Sequence, residues 1–418
     1  MTLSRFDWTR IEQAGSSYID APDSVVPVTP ADPAQGPRIL FFSGGSAIRE
    51  VSSALALSTE RSIHIITTFD SGGSSAALRC FLNLPALGDL RSRISALADS
   101  SVPGVPEALK LWEYRLERDA SEKVLRAALS SLSSKTHPYI GKMSVEVADS
   151  LLRLLSAFER GMPKGFDLRG ACIGNLALAG GCLSFGSVGE SVRYCSRMFR
   201  VRGIVEPVTE ELAHLAVRYH SGLVCVGQHA FSGKSAELSK GEREGGIESM
   251  WFAAGLDDAA PREITASDST LRHIRQADLI CYPPGSFYSS LVANLMVRGV
   301  GQSIAANPAP KVFLPNPGAD TELAGHSLRR QVEVILDALT ADAPGLAPAD
   351  VLDAVLVDSA NGQYGEIPRE WLAGLGIALL ERDLVDAEMS VGPIIKVAPQ
   401  KVSGLLMHIA QELCGAGW

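Results

Sequence analysis

One aspartate, two adjacent glycines and three serines stand within twelve residues at 68–79, TFDSGGSSAALR, directly after an apolar run. Gly72 and Gly73 let the backbone approach a ligand closely, and Ser74 and Ser75 add hydroxyl donors. The pattern is that of a phosphate pocket with Asp70 at its lip. Such a carboxylate holds a ribose hydroxyl, positions a divalent cation through water, or simply caps its own turn. Two further stretches share the design. In FFSGGSA (41–47), Ser43, Gly44, Gly45 and Ser46 lead into a helical pattern whose free N–H groups and positive dipole favour an anion. In YPPGSFYSSL (282–291), Gly285 and Ser286 open a helix carrying Tyr288, with Asn294 two turns further along. Each loop is equally readable as a plain strand-to-helix turn. Asn175, inside the apolar IGNLALAGG, needs polar partners, from a ligand or from the core. LGDLRSR gathers Asp89, Arg91 and Arg93; arginine forks suit phosphate oxygens.

These loops need a frame that delivers them to one place. From Arg38 onward short apolar runs alternate with helical patterns: strands at 38–42, 62–69, 278–283, 311–316 and 352–358, and helices at 47–57, 74–83, 88–99, 269–277, 287–297, 327–339 and 401–414. The alternation predicts βαβ units and a mostly parallel sheet, in which ligands sit beyond the carboxyl ends of the strands. Asp89 reads as a helix N-cap. Residues 104–160 read as a wholly helical insertion. Residues 201–208, 215–227 and 263–265 read as an antiparallel edge with a hairpin turn at His220, and 232–249 as a charged, glycine-rich loop. Residues 1–37 form an extended lead-in and 38–418 one α/β domain.

The bulk properties narrow the chemistry. A net charge of −9 over 418 residues lacks the basic footprint of a nucleic-acid binder. Seven cysteines with no CxxC pair fit reduced thiols of a cytoplasmic protein. The first fifteen residues contain no apolar signal segment, and the uncharged stretch 170–189 holds six glycines, so it reads as a buried helix and turn, not a membrane span. GLVCVGQH (222–229) imitates P-loop spacing but has Gln228 where the lysine belongs. GxGxxG, HExxH and GxSxG are all missing, which disfavours a standard nicotinamide dehydrogenase, a zinc protease and a hydrolase triad.

Taken in order, FFSGGSA, ITTFDSGGSSAALRCFLNLPALGDLRSRISALAD, IGNLALAGG and ADLICYPPGSFYSSLVANLMVRGVGQSIA resemble the CofD-like proteins, with weaker support from VRGIVEPVTEE and KVFLPNPGADTEL. That family includes the 2-phospho-L-lactate transferases and the YvcK-type gluconeogenesis factors, and the long stretches look closer to the latter. The resemblance implies a Rossmann-like three-layer sandwich and a nucleotide-diphosphate ligand. In the transferase branch a guanosine-diphosphate-activated phospholactate passes its phospholactyl group to a deazaflavin alcohol, releasing GMP with Mg²⁺. In the YvcK-like branch a UDP-sugar is bound as a regulatory signal for carbon or cell-wall metabolism. Carried onto this chain, Asp70 positions the metal or the attacking hydroxyl, and Arg79 or Arg91 stabilises charge on the departing nucleotide. The implied partner is a nucleotide-type small molecule, with neither nucleic acid nor membrane, and a homodimer is left open. Ser71 stands where the family usually has a second carboxylate and Pro283 where it has glycine, which marks a divergent member.

Overall fold

The structure, a computed structural model, describes residues 5–11, 32–45, 47–134, 137–232, 245–341, 343–392 and 394–414. Most of the lead-in and of the charged 232–249 loop, and Ser46, therefore lie outside the described residues. So do the side chains of Gly73 and Ser74.

The apolar runs become a seven-stranded sheet. Its strands are β1 (Ile39–Ser43), β2 (Ile63–Ile66), β3 (Ile204–Pro207), β7 (Leu279–Tyr282), β8 (Lys311–Phe313), β9 (Ala354–Val357) and β10 (Ala378–Glu381). The order is β10-β9-β8-β7-β1-β2-β3, and every pair is parallel. Both faces are covered, as a parallel sheet requires. Side chains alternate across β1: Leu40 and Phe42 enter one apolar cluster, Ile39 and Phe41 another. Each such burial contributes about 1.5–3 kcal/mol. The Ile39 and Phe41 face is closed by α1 (Arg49–Leu55) and by the C-terminal helix Pro399–Cys414. The result is an α/β three-layer sandwich of Rossmann type.

Four helices beyond α1 matter for the site: α2 (Gly73–Leu82), α3 (Gly88–Leu97), and, after the helices that occupy 105–161, α4 (Ile173–Phe185) and α5 (Val188–Met198). The uncharged stretch at 170–189 is α4, capped by Gly186 at φ 70°. Asn175 sits on it, 2% exposed. Among the described residues no helix is long and apolar enough to cross a membrane, and no disulfide links the described cysteines.

Three local readings are corrected. Residues 204–207 are not antiparallel: β3 pairs in parallel with β2 and forms the sheet's edge. The antiparallel strands β4 (His214–Tyr219), β5 (Val224–Val226) and β6 (Ile247–Ala253) make a small sheet of their own, with β6 in the place expected for 263–265. Asp89 is not an N-cap; α3 begins at Gly88 after Leu87, and Asp89 lies in its first turn. Strand β10 and the hairpin of β11 (Val385–Val391) and β12 (Ile394–Val397) were not foreseen, because half-exposed strands lack a continuous apolar run.

Candidate functional site

Because β7, β1 and β2 are neighbours, the three glycine-serine loops leave the same edge of the sheet side by side. This is also where chain order reverses, the crevice that open α/β sheets use for ligands. The loops touch. Gly285 has φ 150°, and a Cβ there would lie 2.8 Å from the Ala47 Cβ. A side chain on Gly44 would meet Ser290 Oγ at 2.7 Å and Asp89 Oδ2 at 2.9 Å; one on Gly45 would meet Asp89 Oδ1 at 2.8 Å. A Cβ on Gly88 would stand 3.1 Å from Ser75 Oγ, 3.9 Å from Asp70 Oδ2 and 4.0 Å from Asn175 Nδ2. Residues 44, 45, 70, 75, 89 and 175 are thus drawn into one corner around the start of α3, and Gly285 meets the first loop at Ala47.

Buried polar side chains hold the corner from below. Arg93, with no exposed surface, donates Nη2 to the Gly44 carbonyl at 3.0 Å and to Ser43 Oγ at 3.3 Å, and Nη1 to Ser52 Oγ at 2.6 Å. Burial pulls its pKa down to about 10, opposed by Asp89. Asn294 donates Nδ2 to the Ser43 carbonyl at 3.3 Å and to that of Ser290 at 2.8 Å, tying the first loop to the helix of the third.

The second loop leads into a helix start of a different kind. Gly72 is the N-cap of α2 and supplies no side-chain cap, and the first N–H groups of a helix have no intrahelical acceptor. Asp70 Oδ1 accepts the Gly72 N–H at 3.0 Å, so this carboxylate does cap its own turn. Its other oxygen faces Gly88 in the corner.

The third loop differs from expectation. Its helix begins as a π-turn, Phe287–Val292, and internal carboxylates take its leading N–H groups. Asp320 accepts from Phe287 at 3.0 Å; Glu322 accepts from Tyr288 at 2.8 Å, from Ser289 N at 2.9 Å and from Ser289 Oγ at 2.5 Å. Asn316 clasps Gly285 by both its N–H and its carbonyl. Burial first, then the Asp320 charge, raises Glu322 to about 7. The leading N–H groups of this helix are thus taken from within the chain. The Tyr288 side chain is likewise spent: its hydroxyl meets His326 Nε2 at 2.7 Å and donates to the Ile247 carbonyl at 3.3 Å.

Arg79 and Arg91 both make hydrogen bonds within the chain. Arg79 is 8% exposed and donates to the carbonyls of Thr68 at 3.1 Å and Ala213 at 2.5 Å, against the His214 ring. It braces the second loop from behind, and burial lowers it to about 10. Arg91 donates Nη2 to its neighbour Ser92 at 2.9 Å.

Sequence reasoning missed Asn316, Asp320, Glu322 and His229 as parts of this neighbourhood; Arg93, gathered with Asp89 and Arg91 in the sequence, reaches the first loop from inside the protein. The GLVCVGQH segment, no P-loop, packs on the second loop: the His229 N–H donates to Ser71 Oγ at 3.0 Å, and a Cβ on Gly72 would lie 3.5 Å from His229 Nδ1. Its glycine spacing was the available signal. Among the described residues, no group of three His, Cys, Asp or Glu is arranged to hold a metal ion.

Residues 39–382 match the family model described as 2-phospho-L-lactate transferase CofD. The chain is 27% identical over 282 residues to the gluconeogenesis factor of Bacillus subtilis, covering 68% of each chain. It is 25% identical over 289 residues to a putative gluconeogenesis factor of Thermotoga maritima, covering 68% of this chain and 70% of that one. Its fold is similar to the crystal structure of a UPF0052 family member from Bacillus halodurans, with a TM-score of 0.63 at 20% identity, over 88% of this chain and 99% of that one.

Proposed function

The chain belongs to the CofD family, and from that premise we propose that it binds a nucleotide diphosphate, or a small molecule activated by one, at the corner where β1, β2 and β7 end. The observation that carries the reading is the meeting of Ser75, Asp70 and Asn175 around Gly88, beside the uncapped start of α2. The diphosphate takes the first N–H groups of α2 and the Ser75 hydroxyl, and the glycines of the first loop admit it closely. In the transferase form of this proposal, an acceptor hydroxyl oxygen bonds to the phosphorus that carries the transferred group. The P–O bond to the nucleotide breaks, a mononucleotide leaves, and the hydroxyl proton passes to Asp70. Mg²⁺ is commonly held by one or two carboxylates together with substrate phosphates. Asp70 fits that pattern as the protein's share, and the ion would neutralise charge on the diphosphate.

A second reading has its own support. The named relatives are gluconeogenesis factors, and Ser71 replaces a second carboxylate beside Asp70. In that form the same corner holds a UDP-sugar as a signal and no bond is broken. Thermal-shift titration with GDP and UDP-sugars, with and without Mg²⁺, tests binding; a ligand at 100 times its Kd should stabilise by about 2.7 kcal/mol. Incubating the best ligand with a deazaflavin alcohol and measuring released mononucleotide separates the two readings. A protein that no nucleotide stabilises overturns both.

A further inference from the structure

A cavity of about 750 Å³ opens beside β3, lined by the amino-terminal part of that strand, by α5 and by Val102 and Val147. It is not the corner where the three loops meet. β3 runs parallel to β2 with Ile204 opposite Ile63, so the residues from Val201 to Ile204 lie toward the amino ends of the strands, and the loops at the carboxyl ends. Its volume is that of a small-molecule pocket.

Its lining is unusual for a chain of net charge −9. Arg193, Arg197, Arg200 and His273 all face it, against Glu146 and Glu206. Glu206, only 2% exposed, is matched within the protein: Arg193 Nη1 meets it at 2.8 Å and His273 Nε2 stands at 3.8 Å. That leaves Arg197 and Arg200 as the cationic arms at the rim. Arg200 touches Glu146 only loosely, at 3.9 Å, with both side chains largely exposed.

Arg200 supplies an independent sign. It follows α5 at φ 49°, the left-handed position that commonly ends helices and is usually glycine. The Val201 N–H closes the turn on the Ser196 carbonyl at 2.9 Å. Glycine would serve this turn at lower conformational cost than the arginine that stands there. Val102 and Val147 give the cavity an apolar wall that a hydrated inorganic ion would not use.

We infer that this cavity is a second binding site, for a small organic anion: a phosphate or carboxylate head held by Arg197 and Arg200, with an apolar body against the valines. It is separate from the nucleotide corner and stands whether or not that reading holds.

Phenyl phosphate and benzoate are suitable probes, which also distinguish the two head groups. Hydrogen exchange of the full chain is followed with each probe, and affinity is measured by calorimetry. Protection is expected across residues 193–206 with at least one probe. Arg200→Gly should raise the thermal midpoint, by relieving the backbone, while weakening the probe about tenfold or more; Arg197→Ala should weaken it without that gain. This opposite movement of stability and affinity separates lost recognition from damage to the fold. Protection confined to residues 41–47 and 70–76, no protection with either probe, or an Arg200→Gly variant that binds as well as the parent would overturn the assignment.

Discussion

The Glu322 carboxylate receives the backbone N–H of Tyr288 at 2.8 Å, inside a site that leaves the glutamate 3% exposed. An acid raised from 4.5 to about 7 binds a proton in the folded chain that the unfolded chain has already released. Between those two values stability therefore falls as pH rises, by at most about 1.4 kcal/mol per unit. Below 4.5 both states are protonated, and above 7 both are ionised, so the dependence flattens. Urea midpoints measured from pH 4 to 8 should show this decline in the parent and a much shallower one in Glu322→Gln. An unchanged slope in the variant would assign the proton to another group.

Gly88 marks the point on which Ser75, Asp70 and Asn175 converge. A methyl there stands 3.1 Å from Ser75 Oγ, close enough to displace the hydroxyl but not to break the fold. Alanine is also the better helix residue at the start of α3, by up to about 1 kcal/mol. Gly88→Ala should therefore leave the thermal midpoint within a few degrees of the parent and weaken nucleotide binding about tenfold or more. Titration calorimetry with the best nucleotide decides it. Undiminished affinity would move the diphosphate out of this corner.

Arg93 works on the first loop from inside the protein. Arg93→Met keeps much of the volume and removes a charge that is costly to bury, but it strips the Gly44 carbonyl of its donor, a loss of about 1–3 kcal/mol. The two effects oppose each other, so global stability should change little. The loop itself should loosen: amide exchange in a peptide covering 41–48 should accelerate markedly, while β7 and β9 keep their protection. Equal exchange in parent and variant would show that Asn294 alone holds the loop.

The fold was legible where burial is two-sided. Runs such as Arg38–Phe42 and Leu352–Asp358 admit few readings other than central parallel strands, and their spacing placed the glycine loops at one sheet edge. Strand β3 misled because its parallel partner, β2, lies some 140 residues earlier, and the pairing leaves no local mark. The site divided in the same way. The glycines and serines of the three loops announce themselves locally. The carboxylates that fill the third helix start come from a different loop, 33 residues or more downstream, so Gly285–Ser289 looked like an open anion site. The internal acceptor of Arg79 was equally invisible, since Ala213 is 134 residues away.

Asp70 carries the distinction between catalysis and binding. One oxygen is fixed by the Gly72 N–H and the other faces Gly88. Asparagine retains an oxygen for that N–H, so Asp70→Asn should keep the turn and the fold. What it loses is the charge that would attract a cation and the basicity that would take a hydroxyl proton. If the chain is a transferase, mononucleotide release should fall at least about 100-fold, in the range expected for a lost general base. Mg²⁺ should then no longer strengthen nucleotide binding. If the chain is a regulator, no release is seen in either protein, and the variant binds the UDP-sugar about as well as the parent, since the α2 amides and Ser75 are intact. Measuring release and Mg²⁺-dependent affinity on both proteins separates the outcomes, and a variant that turns over at the parental rate removes Asp70 from the mechanism.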